Sequence, residues 1–67
     1  MTDYDNTPML EAINECVHNA AHREVLRLRL VDGMTYEAIA GQIRISPRQV
    51  GYIMAKYTPK LYKRLGV

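Results

Sequence analysis

The stretch that most constrains this chain is Ile45-Ser46-Pro47-Arg48-Gln49-Val50, where three separate helix-start signals coincide. Ser46 and Gln49 have capping-box spacing: the serine side chain accepts from the third helical N–H while the glutamine reaches back to the N–H of the cap. Pro47 takes the first helical position, where a missing N–H costs nothing. Ile45 and Val50 flank the cap at the spacing of a hydrophobic staple. A helix therefore begins at Ser46, and only Arg44-Ile45-Ser46 separates it from the apolar run before.

That preceding run also carries start signals. Thr35 is a cap, with Met34 before it and Ile39 at the fourth helical position, and the helix should end near Ile43. So short a connection forces a steep crossing, which needs one small residue at closest approach with bulky aliphatics around it. Ala40 among Ile39, Ile43, Ile45, Val50 and Ile53 meets that need, and predicts a helix-turn-helix over about residues 35–57. The second helix is expected to stop near Tyr57. Thr58-Pro59 then ends it and caps a last short helix through Leu61, Tyr62 and Leu65 up to Gly66. Gly51 weakens the second helix, which suggests close approach to DNA or to another helix.

Upstream, Thr7-Pro8 signals a first helix over about Pro8 to His18, with Met9, Leu10, Ile13, Cys16 and Val17 at helical spacing. Asn19 caps a second helix containing Val25, Leu26, Leu28 and Leu30, which runs to about Val31 and is stopped by Gly33. No segment alternates like a strand. The expectation is an all-α fold: a small helical bundle of four to five helices forming one domain over 1–67, with residues 1–6 flexible.

Sixty-seven residues bury only about 60% of their unfolded surface, so the core is marginal and a partner chain or DNA would help hold it. No apolar run approaches the roughly 18 residues of a membrane span. The acidic, polar start from Met1 to Pro8 lacks the features of a secretory signal, and the single Cys16 fits a reducing compartment, so a cytoplasmic location is expected. An enzyme is not expected, because the chain has no glycine-rich phosphate loop, no paired carboxylates near a histidine and too little length for a pocket. Cys16, His18 and His22 form an incomplete ligand set with a helix break near Asn19, so neither metal nor other cofactor is expected.

Charge is strongly polarised. Residues 1–15 carry four carboxylates and no Lys or Arg, and residues 16–43 are balanced. Everything from Arg44 onward is basic: Arg44, Arg48, Lys56, Lys60, Lys63 and Arg64, with no acid among them. That third of the chain is either a face for a polyanion or a solvated surface.

Three blocks then resemble the region-4-type helix-turn-helix of bacterial sigma factors, and nearly as closely the output domain of response regulators. They are Arg23-Glu24-Val25-Leu26-Arg27-Leu28-Arg29, Gly33-Met34-Thr35-Tyr36-Glu37-Ala38-Ile39-Ala40 and Ile45-Ser46-Pro47-Arg48-Gln49-Val50. The resemblance covers about two-thirds of the chain. It implies a supporting helix, a helix lying across the DNA backbone and a recognition helix from Ser46 in the major groove. Two departures stand out: the turn position usually held by glycine is Arg44, and Thr58-Pro59 falls within what is often one long final helix. The other promoter-recognising and polymerase-binding regions of a sigma factor have no counterpart in these 67 residues.

A recognition helix reads base edges near its N-terminus and meets phosphates with basic residues and helix starts. Arg48 is the first candidate reader, able to bond guanine bidentately. Tyr52, one turn on, can touch a thymine methyl or sugar, or pack partly in the core. Gln49 can pair with adenine, although the same amide is wanted by the capping box. Arg44, Ser46, Thr35, Lys56 and Lys60 are candidate phosphate contacts, Thr35 also serving plainly as a cap. Lys63 and Arg64 extend these contacts or lie on the solvated side of the last helix.

The resulting expectation is a sequence-specific regulator of transcription, a repressor or sigma-like factor of bacterial or phage type, bound to double-stranded DNA. The rival is a protein-interaction module that docks on RNA polymerase or another regulator. Met9, Leu10, Ile13 and Val17 either close the chain's own core or form a surface for another chain, and a homodimer would read two half-sites one helical turn apart.

Overall fold

Three of the chain's polar residues fix where its helices begin, and a computed structural model describing residues 7–66 shows each at work. Asn19 accepts from the N–H groups of Ala21 and His22 at 2.9 and 3.1 Å. Thr35 accepts from Ala38 at 3.1 Å. Ser46 and Gln49 form the full reciprocal box, at 3.1 and 3.2 Å. The resulting helices are α1 (Thr7–Cys16), α2 (Ala20–Leu30), α3 (Tyr36–Ile43) and α4 (Pro47–Leu65). The fold is all-α, with no strand among the described residues. The expected flexibility of residues 1–6 concerns positions outside the described residues, as does the N-cap of α1.

Arginines secure the ends that the caps leave open. The α1 helix stops at Cys16, two residues short of the expected His18, and the Arg23 guanidinium donates to the carbonyls of Val17 and His18 in the turn. Arg27 grips Glu24 with two parallel hydrogen bonds and reaches Asp32 at 3.1 Å. Val31 closes α2, its N–H donating to the Arg27 carbonyl, and Gly33, at φ +73°, takes a left-handed conformation in the turn that follows. Arg29 donates to the Met34 carbonyl at 2.9 Å and lies over the Tyr36 ring, which ties the α2–α3 turn to both helices.

The core is one cluster drawn from all four helices, with Val17, Val25, Leu26, Ile39, Val50 and Leu61 fully enclosed. Ala40 of α3 is buried in this core, and Ile43, Ile45 and Ile53 pack half-buried against it. Ile13 and Val17 are buried in the chain's own core, and Met9 is half-buried against that core. Leu10 is half-buried.

The expected break at Thr58-Pro59 does not occur. The α4 helix continues through Pro59 to Leu65, so the bundle has four helices and no separate last one. A proline inside a helix removes one hydrogen bond and costs about 3 kcal/mol. Two features offset that cost here. Ala55 and Pro59 are both exposed, so water can serve the freed carbonyl, while Tyr57 and Leu61 on the opposite side are buried. Fully burying side chains of this size contributes about 1.5–3 kcal/mol each.

Two backbone positions lead to stability predictions. Arg44 ends α3 at φ 68°, ψ 46°, in the left-handed region where a residue other than glycine costs about 1–2 kcal/mol. Arg44→Gly should therefore stabilise the fold, by about 0.5–1 kcal/mol after the extra entropy of the unfolded glycine chain, as measured by urea unfolding. Gly51 has ordinary helical backbone, and a Cβ there would lie 3.8 Å from Cε2 of Tyr36, an ordinary contact. Its neighbour is α3, with room to spare. Gly51→Ala should raise stability by up to about 1 kcal/mol, read as a higher thermal midpoint.

Candidate nucleic-acid interface

With α4 continuous, Arg48, Tyr52, Lys56, Lys60 and Arg64 form one unbroken ladder at four-residue spacing. Four residues exceed a full turn by about 40°, so the ladder drifts around the helix as it climbs. At its start the side chains stand clear of the bundle: Arg48 and Gln49 are exposed, and Tyr52 is 61% exposed, which removes the core-packing role for that tyrosine. Midway, Lys56 and Lys60 lie over the ring of buried Tyr57, at 5.3 and 5.9 Å. By its end the ladder has reached α1, where Arg64 binds Glu15 with hydrogen bonds of 2.6 and 3.1 Å.

This geometry sorts the cations. Of the nine Lys and Arg residues, Arg23, Arg27, Arg29 and Arg64 hold contacts inside the fold. The remaining five are Arg44, Arg48, Lys56, Lys60 and Lys63, and none has a carboxylate or carbonyl partner among the described residues. All five stand on α4 or the turn before it. The sequence alone grouped Arg64 with them, and nothing local could have separated it, because its partner lies 49 residues away.

The Arg64 guanidinium holds the Glu15 carboxyl below the usual carboxylate range, and Arg27 does the same to Glu24. A lowered carboxylate pKa means that the contact's stabilisation is present above the unfolded value and is lost as pH falls through the folded one. Both pairs are largely open to solvent and contribute little to stability; Arg64–Glu15 joins α4 to α1, while Arg27–Glu24 lies within α2.

Of the candidate reader Gln49 and the candidate phosphate contacts Ser46 and Thr35, Gln49 and Ser46 are engaged with each other in the capping box, and Thr35 caps α3. Arg48 donates its Nε–H to the Tyr52 hydroxyl at 3.0 Å and packs its guanidinium toward that ring at 5.8 Å. Of the incomplete metal set, Cys16 is half-buried at the end of α1 and His18 is exposed. His22 Nδ1 lies 3.0 Å from the Tyr57 hydroxyl, with the two rings edge to face. That pair joins α2 to the middle of α4, a link invisible in either segment alone.

On the other flank of α4, an open groove of about 530 Å³ runs past Arg29, Tyr36, Gly51, Met54, Thr58 and Tyr62. No helix is long and apolar enough to cross a membrane among the described residues. Comparison with protein-family models, with curated proteins and with solved structures finds no match to this chain.

Proposed function

We propose that α3 and α4 form a DNA-binding helix-turn-helix and that the chain is a sequence-specific transcriptional regulator of bacterial or phage type, acting in the cytoplasm. The carrying observation is the sorting of its cations: all five that lack a carboxylate or carbonyl partner among the described residues lie on α4 and the turn before it. Polyanion binding needs free cations concentrated on one element, and a merely solvated surface has no reason to concentrate them so.

The dimensions of α4 support the same reading. Nineteen residues make a helix about 28 Å long, close to the 30 Å longest extent of the molecule. A major groove about 12 Å wide admits its first turns, which carry Arg48 and Tyr52. Lys56, Lys60 and Lys63 lie roughly 12–22 Å further along and fall to the phosphates beyond the groove. Arg44 sits at the turn, on the opposite side. The resemblance to sigma region 4 agrees with this orientation, and contact with RNA polymerase is a further role it would allow.

The test is affinity for random-sequence duplex across a series of salt concentrations. Four phosphate contacts, from Arg44, Lys56, Lys60 and Lys63, would give log Kd against log salt a slope of about 3–4. No binding at low salt would defeat the proposal. The groove beside Tyr36 and Tyr62 favours the second reading, a module that docks on polymerase or another regulator, and that outcome would bring it forward.

A further inference from the structure

Resting on that reading of α4, we propose that Tyr52 does not read a base but positions Arg48, so that Arg48 selects guanine through its two terminal nitrogens. A guanidinium carries one N–H on Nε and two on each Nη, and it can meet a pair of acceptors along either of two edges. The edge containing Nε is closed, because Nε donates to the Tyr52 hydroxyl at 3.0 Å. The Nη1–Nη2 edge has no partner among the described residues. It lies at the far end of the side chain, and guanine O6 and N7 present the acceptor pair that matches it.

The tyrosine is suited to this task by its place one turn on, where a side chain faces that of the residue four before it. Its ring lies beneath the guanidinium at 5.8 Å while its hydroxyl fixes the rotation of the head group. A long, exposed arginine loses freedom when it pairs with a base. An acceptor that holds it beforehand lowers that loss, and the gain appears only where the base accepts in the matching geometry.

The experiment is selection from randomised duplex, followed by affinity measurements on the selected site and its single-base variants, for the unmodified protein, Tyr52→Phe and Arg48→Ala. Phenylalanine keeps the ring and removes only the acceptor. Binding to random duplex and its salt slope should be unchanged in Tyr52→Phe, while preference for guanine at one base pair falls about 2- to 10-fold. Arg48→Ala should remove that preference, worth about 5- to 150-fold, at the same base pair.

Undiminished guanine preference in Tyr52→Phe would overturn the proposal. So would a loss confined to a different base pair, because Tyr52 would then be a reader itself. Failure of Arg48→Ala to alter any base preference would overturn it too, even with random-duplex binding intact. Absence of binding to every duplex at low salt is the separate failure of the DNA reading and takes this inference with it.

Discussion

Replacing Lys56, Lys60 and Lys63 together with alanine is expected to lower affinity for random duplex by about two to three orders of magnitude near 0.1 M salt. Each phosphate contact contributes about 0.9 to the salt slope, so the slope should fall by about 2.7. These lysines have no carboxylate partners among the described residues, so no buried ion pair is broken. Two of them do lie over the Tyr57 ring. Losing those contacts would cost roughly 0.5–1 kcal/mol apiece, which unfolding in urea would register separately from binding. An unchanged slope in the folded variant would mean that the middle of α4 does not face phosphate. Sequence preference should survive, because Arg48 is untouched.

The second large effect concerns the fold. Leu61→Ala is expected to destabilise the chain by about 2–5 kcal/mol, although Leu61 lies beyond Pro59 near the end of the last helix. Leu61 is fully buried among residues of the other helices. A chain of this length has a total stability of about 3–10 kcal/mol, so the variant should be substantially unfolded at moderate temperature. Circular dichroism against urea checks this. A loss below about 1 kcal/mol would show that the segment after Pro59 is a loosely held tail, and the ladder that starts at Arg48 would then end at Lys56.

What could be read from the sequence follows the reach of the interactions. The starts of α2, α3 and α4 were legible because Asn19, Thr35 and the Ser46–Gln49 box act within three residues of themselves. The end of α4 was not. Local chemistry says that Thr58-Pro59 stops a helix, and the burial that overrides it comes from Tyr57 and Leu61 meeting other helices. Arg44 was recognised as an unusual turn residue, and its left-handed backbone shows why glycine is the easier choice there.

The candidate interface divides the same way. Arg48 could be picked out from its place after Pro47, and the occupation of Gln49 followed from the cap. That Arg23, Arg27 and Arg29 serve turns and ion pairs within the bundle could not be read from a charge count, nor could the loss of Arg64 to Glu15. The Arg64–Glu15 contact reduces the six cations of the basic third to five on one helix and its turn.

The most direct test of that assignment is residue-by-residue mapping of backbone amide shifts by NMR as a random-sequence duplex is added at low salt. Perturbations are expected at Arg44, Ser46, Arg48, Tyr52, Lys56, Lys60 and Lys63, with α1 and the outer side of α2 unmoved. Perturbations centred on the groove at Tyr36, Thr58 and Tyr62, with Arg48 and Tyr52 unaffected, would contradict that assignment.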